Sequence, residues 1–262
     1  MHRTDHTDDL AVALRLADAA DEITMARFLA ADLVVDRKPD RTPVTDADTA
    51  VEDTVREIIA ELRPDDEVLG EERGGAVGDG RTWVVDPIDG TKNFLRGNPV
   101  WATLIALVDG GVPVVGVVSA PAFPRRWWAS AGGGAWCGER RLRVSAVAAL
   151  ADAYLSTTDA RLWEPREPYQ SLMDACWETR AFGDFWQHVL VAEGALDLAA
   201  DPIANPWDLA AVQVIVTEAG GRFTDLRGEA RFDGGDGLAS NGLLHDAALG
   251  VLQAGVSAPR TT

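Results

Sequence analysis

Two carboxylates three residues apart mark the part of the chain that is best suited to chemistry. Asp86 and Asp89 follow the apolar run 83–85 and precede Gly90 and Thr91. A strand that carried this run would deliver both acids to one edge of a sheet, and a short helix could begin at the Gly-Thr step. Carboxylates bind divalent cations, and the N–H groups of a helix start bind phosphate. The segment therefore predicts a metal-assisted phosphate site.

Further acids stand at predicted element boundaries and are candidates for the same site. Glu71 and Glu72 follow a short apolar run, and Asp208 opens a predicted helix. Taken alone, each has an ordinary alternative, because a helix start favours an acidic cap and paired glutamates often form a solvated turn. A cap or a solvated turn explains Asp86 and Asp89 less well, since two carboxylates at the end of an apolar strand repel each other unless a cation bridges them.

Three polar residues near these acids give weaker signals. The Thr91 hydroxyl could orient a water molecule, although a lone threonine at this position is also a typical helix cap. Lys38 lies in a polar loop, where a solvated charge is the default interpretation, and the default for Asp48 is a helix cap.

Motifs for other chemistries are weak. The glycine run 132–134 does not lead into a predicted helix and therefore fails as a dinucleotide fingerprint. The sequence has no Gly-x-Ser-x-Gly elbow and no Walker lysine. Its four histidines are scattered without metal-ligand spacing, and His188, which stands among the apolar residues of a predicted helix, is interpreted as structural.

Composition restricts the partners and the compartment. The 262 residues carry a formal net charge of −18, which argues against nucleic acid or an anionic membrane as a partner, because both need basic faces. Cys137 and Cys176 are far apart and predict no disulfide. No apolar run reaches transmembrane length, and residues 1–10 show no signal-peptide pattern. We therefore expect a cytoplasmic protein.

The predicted elements bring the acids together. Helical spacing of apolar residues predicts helices over 8–31 and 46–62, separated by a polar loop. Short β-branched segments between 68 and 137 predict a mainly antiparallel sheet, and strands and helices alternate after residue 150. Since no linker is visible, we expect one unit whose two halves meet at a cleft.

Three acidic motifs in this order resemble those of the inositol monophosphatase superfamily. The three motifs are Gly70-Glu71-Glu72, Asp86-Pro87-Ile88-Asp89-Gly90-Thr91, and the stretch from Trp207-Asp208 to Gly220-Gly221. The segment Val44-Thr45-Asp46-Ala47-Asp48 matches the family as well. The resemblance covers most of the chain and implies an α/β fold, an αβαβα sandwich of layered helices and sheets. It also implies a single unit over 1–262, with approximate halves 8–145 and 146–256.

The same resemblance implies a site for two or three Mg²⁺ ions. Its ligands would be Glu71, Asp86, the Ile88 carbonyl, Asp89 and Asp208. Metal ions neutralise the charge of a phosphate dianion, lower the pKa of bound water from about 15.7 toward roughly 7, and stabilise the leaving alkoxide. Attack by water then needs no cysteine or serine nucleophile.

Catalytic and phosphate-binding roles are also implied by the resemblance. Thr91, supported by Asp48, would orient the attacking water, and Glu71 would help to hold the third ion. The N–H groups of Gly90 and Thr91 would bind the phosphate, while Lys38 would lie on a mobile loop near the ions.

Within the superfamily, the chain most resembles the histidinol-phosphate phosphatase branch, in segments 38–48, 93–101, 126–128, 180–185 and 241–245. Asp184 and Phe185 stand where inositol phosphatases usually have two small residues. A substrate with an ammonium and an imidazole would gain an ion pair and a stacking face there, whereas a neutral polyol would gain little. A helix cap is the alternative role for Asp184. Asp201, seven residues before Asp208, stands where the family often has a glutamate that contacts the alcohol.

We therefore expect an Mg²⁺-dependent phosphate monoester hydrolase that converts L-histidinol phosphate to L-histidinol and phosphate in histidine biosynthesis. Inositol 1-phosphate or another small sugar phosphate is the alternative substrate, and a non-catalytic regulatory scaffold is the alternative class. The family resemblance also implies a homodimer. The residues expected to contact the substrate are Lys38, Asp89, Gly90, Thr91, Arg180, Asp184, Phe185, Asp201 and Asp208.

Overall fold

The computed structural model describes residues 6–39 and 42–254. Two residues of the 38–48 motif, Asp40 and Arg41, and the last two of the expected second half, 255 and 256, lie outside the described residues. The helices are α1 (Thr7–Arg27), α2 (Asp46–Leu62), α3 (Thr91–Leu95), α4 (Glu167–Ala175), α5 (Asp184–Glu193), α6 (Pro206–Glu218) and α7 (His245–Ala254). The strands are β1 (Val35–Arg37), β2 (Pro43–Thr45), β3 (Glu67–Gly70), β4 (Arg81–Asp89), β5 (Ala102–Asp109), β6 (Val112–Ala120), β7 (Arg125–Ser130), β8 (Gly134–Cys137), β9 (Arg140–Arg141), β10 (Tyr154–Ser156), β11 (Glu178–Arg180), β12 (Leu198–Asp201), β13 (Arg222–Thr224) and β14 (Gly237–Ser240).

Two sheets form the frame of the molecule. The larger sheet has the order β3-β4-β5-β6-β7-β8-β9, and all its pairs are antiparallel except β3 with β4. The smaller sheet has the order β11-β10-β12-β14-β13 and mixes parallel with antiparallel pairs. A separate hairpin of β1 and β2 lies in the region predicted as a polar loop.

Helices cover both sheets in layers. Apolar residues of α1 and α2 share one core with one face of the larger sheet. Helices α5 and α6 pack in a second core with the other face of that sheet and with the smaller sheet. Helices α4 and α7 close the outer face of the smaller sheet in a third core. This is an αβαβα sandwich, so the predicted α/β layered fold is confirmed.

Strand β4 brings the two central acids to the sheet edge, and a bulge decides where they point. Seven of its nine residues are buried, because helices cover both faces of the sheet. Asp86 pairs with Leu104 and Asp89 with Ala102, so three steps on β4 match two steps on β5. Residues three apart on a regular strand face opposite sides, and one extra residue removes this difference. The bulge therefore allows Asp86 and Asp89 to face the same site.

The end of α1 departs from the sequence prediction. The helix stops at Arg27 rather than at residue 31, and Leu29 has a φ of 63°, a conformation that a right-handed helix cannot contain. Helix α2, in contrast, has the predicted bounds. Of the helices described, none combines the length and the apolarity that crossing a membrane requires.

Candidate metal and phosphate site

Three carboxylates from two elements converge at the end of β4. One oxygen of each of Asp86, Asp89 and Asp208 lies within 4.8 Å of the other two. Asp208 stands in the first turn of α6, where its Oδ2 accepts a hydrogen bond of 2.7 Å from the Asn205 N–H. The cap predicted as an alternative is therefore present, and it leaves the second oxygen of Asp208 for the cluster.

The crowding of these acids has an electrostatic cost. Burial raises the pKa of Asp86 well above its ordinary value, and the charges of Glu71, Asp89 and Asp208 raise it further. Burial likewise raises the pKa of Asp89. Burial raises the pKa of Asp208 to about 7, although the Asn205 N–H opposes the shift. Like charges held this close favour a bridging cation, and a donor set made of oxygen suits a hard ion such as Mg²⁺. The residues present therefore fit a divalent metal site.

Glu71 borders this cluster and is paired with a lysine. It follows β3, the parallel neighbour of β4, and its charge raises the pKa of Asp86. The Lys38 ammonium lies 2.7 Å from both Glu71 Oε1 and Glu72 Oε1. Burial alone would lower the pKa of Lys38, but the two carboxylates outweigh it and raise that pKa. The β1–β2 hairpin thus brings a positive charge to the edge of the acid cluster.

The turn between β4 and α3 has the backbone that the motif requires. Gly90 precedes α3 with a φ of 84°, a left-handed conformation that favours glycine. A Cβ there would also lie 3.2 Å from the Val100 carbonyl oxygen. The Thr91 hydroxyl donates to the Ile88 carbonyl at 2.9 Å, and Asp86 Oδ1 accepts from the Ile88 N–H at 3.0 Å. These bonds fix the loop around the three acids.

Asp48 is fully buried at the start of α2. Its Oδ2 accepts from the Thr45 N–H at 2.7 Å and from the Thr45 hydroxyl at 2.6 Å, whereas Oδ1 has no partner among the described residues. Burial raises the pKa of Asp48 to about 7, and the charges of Glu72 and Glu71 contribute. Since the Thr91 hydroxyl donates to Ile88, the predicted support of Thr91 by Asp48 is not a direct hydrogen bond in this structure.

Two adjoining cavities open beside the acids. The outer cavity, of about 230 Å³, is lined by Thr42, Pro43, Glu71, Asp86, Ile88, Asp89, Gly90, Thr91, Lys92, Asp184 and Asp208. The inner cavity, of about 110 Å³, is lined by Asp89, Thr158, Asp184, His188, Asp201, Ile203, Ala204, Asp208 and Leu209. Asp89, Asp184 and Asp208 line both cavities. A phosphate ester could therefore place its phosphate beside the acid cluster and its alcohol in the inner cavity.

Two of the predicted substrate residues have side chains elsewhere. The Phe185 ring is 1% exposed and packs in the core, with its centroid 6.1 Å from that of Trp127. Only its backbone N–H reaches the site, where it donates to Asp89 Oδ2. Arg180 pairs with Glu178 at 2.7 Å and is not among the residues that line either of the described cavities. The buried ring corrects the expected stacking face at Phe185, whereas the contact expected at Arg180 stays a prediction.

Other residues of the cavities were missed by sequence reasoning. Lys92 lines the outer cavity, and its position directly after Thr91 was the available signal. Thr158 lines the inner cavity from a loop without a motif. His188, interpreted as structural, is 2% exposed, yet its Nε2 lies 3.4 Å from Asp201 Oδ2 and it lines the inner cavity. Its spacing of four residues from Asp184 on a helix was the signal that could have revealed it.

Comparisons with known proteins identify the family of this chain. The model of the inositol monophosphatase family matches residues 5–257. A histidinol-phosphatase of Mycobacterium tuberculosis is 57% identical, over 95% of this chain and 99% of the relative. One of Streptomyces coelicolor is 51% identical, over 95% and 98%. Among solved structures, an inositol monophosphatase from Zymomonas mobilis has a TM-score of 0.86 at 33% identity and covers 96% of this chain and all of its own.

Proposed function

Since this chain belongs to the inositol monophosphatase family and is a phosphoric monoester hydrolase, we propose that it hydrolyses L-histidinol phosphate to L-histidinol and phosphate, a step of histidine biosynthesis. Two relatives that carry the name histidinol-phosphatase support this substrate. The observation that carries the proposal is the inner cavity, where Asp184 and Asp201 add two carboxylates to those of the acid cluster. A cationic alcohol would compensate this charge, whereas a neutral polyol would not.

The metal proposal is two or three Mg²⁺ ions. The residues that would hold them are Glu71, Asp86, the Ile88 carbonyl, Asp89 and Asp208. When bound, the ions would neutralise the phosphate charge, lower the pKa of water and stabilise the leaving alkoxide.

The chain's own groups would position the reactants. In the outer cavity, Gly90 and Thr91 bind the phosphate through their N–H groups, and the Thr91 hydroxyl orients the attacking water. Asp48 supports this arrangement: its Oδ1 is unpartnered among the described residues, and its pKa of about 7 allows it to hold or release a proton near neutrality. Lys38 adds a positive charge at the edge of the cavity, beside Glu71.

A second candidate substrate is inositol 1-phosphate or another small sugar phosphate. It is favoured by the inositol monophosphatases among the solved structures, which share this fold over nearly their whole length. The inner cavity is the feature that separates the two candidates, because the carboxylate of Asp184 would form an ion pair with a cationic alcohol, whereas a neutral polyol would gain little from it.

A panel of phosphate monoesters, assayed with and without Mg²⁺, tests the proposal. We expect kcat/KM for L-histidinol phosphate to exceed that for inositol 1-phosphate by tenfold or more, and both activities to require the metal. Complementation of a histidine auxotroph would connect the activity to the pathway. If inositol 1-phosphate is hydrolysed as well as L-histidinol phosphate or better, the proposed substrate is wrong.

We further propose a homodimer in the cytoplasm. The family resemblance supports the dimer, and the stacked Trp128 and Trp136 on β7 and β8 offer apolar surface. Light scattering coupled to size-exclusion chromatography would give the mass directly, and a monomer mass would refute the assembly.

A further inference from the structure

Asp201, one of the two carboxylates that the inner cavity adds to the acid cluster, is held in place by hydrogen-bond donors. Asp201 is 5% exposed at the end of β12. Its Oδ1 accepts a hydrogen bond of 2.8 Å from the Thr158 N–H, and its Oδ2 accepts from Gln187 Nε2. Gln187 is fully buried on α5. Asp201 is therefore held by the loop at Thr158 and by α5.

The backbone of Asp184, the other added carboxylate of the inner cavity, is held by Thr158 as well. Asp184, the first residue of α5, has a φ of 49°, in the left-handed region that non-glycine residues rarely adopt. Its N–H donates to Thr158 Oγ1 at 3.0 Å. A Cβ at the preceding Gly183 would lie only 3.3 Å from Thr158 Cα, so the two segments approach closely here. The Thr158 hydroxyl thus stabilises the unusual backbone that aims Asp184 at the cavity.

Thr158 is the point where these contacts meet. Its N–H binds Asp201, its hydroxyl accepts from the N–H of Asp184, and the same hydroxyl lies 3.4 Å from Gln187 Nε2. Asp184 and Asp201 both line the inner cavity. The two carboxylates are therefore connected through one residue, by the backbone N–H of Thr158 on the side of Asp201 and by its hydroxyl on the side of Asp184.

We propose that Thr158 is a specificity-positioning residue, which holds Asp184 and Asp201 at the separation that receives a cationic alcohol. This inference rests on the proposed function, since the cation is the ammonium of the substrate's alcohol part. Thr158 acts through the two acids, and within the described residues its hydroxyl makes no hydrogen bond to Asp86, Asp89 or Asp208.

The test compares Thr158→Val with Thr158→Ser on two esters. Valine keeps the shape and the backbone N–H but removes the acceptor for Asp184, whereas serine keeps that acceptor. We expect Thr158→Val to raise KM for L-histidinol phosphate about tenfold with little change in kcat, because the lost interaction serves binding of the alcohol. For 4-nitrophenyl phosphate, whose alcohol is uncharged, KM should change less than twofold. Thr158→Ser should behave like the wild type on both esters.

Two controls keep the result interpretable. Thr217→Val removes an exposed hydroxyl at the far end of α6 and should change neither KM. Thr158 is itself exposed, so its replacement leaves the core intact, which a thermal melt of each variant verifies.

The outcomes separate the inference from the proposed function. If the wild type does not prefer L-histidinol phosphate, the proposed function fails and the inference with it. If the wild type prefers that ester and Thr158→Val keeps the preference, or loses activity equally on both esters, only the role of Thr158 is refuted.

Discussion

At the scale of residues, the site is defined by charge that the fold concentrates and does not neutralise. One oxygen of each of Asp86, Asp89 and Asp208 lies within 4.8 Å of the other two, and burial together with the charge of neighbouring carboxylates raises the pKa of each. Lys38 compensates Glu71 and Glu72 at the edge. The folded state without metal is therefore destabilised by the site, and metal binding offsets that loss.

Replacement of Asp86 by asparagine should separate stability from activity. The amide oxygen of the new side chain can still accept from the Ile88 N–H, as Asp86 Oδ1 does now, but the substitution removes one buried charge from the cluster. In EDTA we expect the midpoint of thermal unfolding to rise by about 2–4 °C for each kcal/mol of repulsion relieved. In Mg²⁺ we expect kcat/KM to fall about a hundredfold or more.

The matched control for this variant is Asp109→Asn, which removes an exposed carboxylate at the end of β5. It should change neither the midpoint in EDTA nor the activity. A lower midpoint for Asp86→Asn in EDTA would show that Asp86 stabilises the metal-free fold, contrary to the repulsion argued here.

At the scale of elements, spacing on a helix explains which sequence predictions succeeded. The bounds of α2 followed from its apolar repeat, and Asp48 contributes to the cap as predicted, as the third residue of a capping box whose N-cap is Thr45. Helical spacing does not decide the directions of Asp184 and Phe185, because the left-handed φ of 49° at Asp184 lies outside the helical range. Asp184 faces the acids and Phe185 faces the core.

The geometry at the end of β4 could not be predicted from residue spacing in the sequence. The motif identifies Asp86 and Asp89, but alternation along a strand would place them on opposite faces. Only the register with β5 reveals the bulge. The Thr158 contacts were likewise hidden, since they join a loop to two residues 26 and 43 positions away in the sequence.

Helix α7 should make stability depend on pH through one histidine. His245 is fully buried, with Nδ1 2.8 Å from the Ser240 hydroxyl and Nε2 2.9 Å from the Thr224 hydroxyl, so it joins α7 to the smaller sheet. Burial lowers the pKa of His245 to about 4, the nearby Arg222 lowers it further, and Asp246 opposes the shift. Between pH 6.5 and 4 the unfolded chain binds the proton more readily, so this stabilisation is complete above pH 6.5 and is lost as the pH falls toward 4.

Urea unfolding of the wild type and of His245→Gln at several pH values measures this effect. The wild type should lose stability toward acid more steeply than the variant, by at most about 1.4 kcal/mol per pH unit. Because the acid cluster titrates in both proteins, only the difference between their slopes reports on His245. Equal slopes would mean that the histidine does not contribute.

At the scale of the whole molecule, the layers concentrate the acids while the surface carries its own excess of negative charge. The β4–α3 turn of the larger sheet, the start of α6 from the layer between the sheets, and the end of β12 from the smaller sheet all contribute to the two cavities. The formal net charge is −18, so self-repulsion opposes the compact state at low ionic strength. We therefore expect the midpoint of thermal unfolding to respond to salt in two ways. Any salt should screen the surface charges, and a divalent cation should in addition bind to the site.

Thermal melts in NaCl and in MgCl₂ at matched ionic strength distinguish these responses. NaCl should raise the midpoint of unfolding between about 10 and 150 mM, because the Debye length shortens from roughly 30 to 8 Å and screens the surface charges. Mg²⁺ should raise it further, by about 5–10 °C at a concentration a hundredfold above its Kd, because binding to the folded state alone adds about 2.7 kcal/mol. Asp86→Asn should keep the NaCl response and lose most of the Mg²⁺ excess. If MgCl₂ and NaCl of equal ionic strength stabilise the wild type equally, the converging carboxylates do not form a metal site.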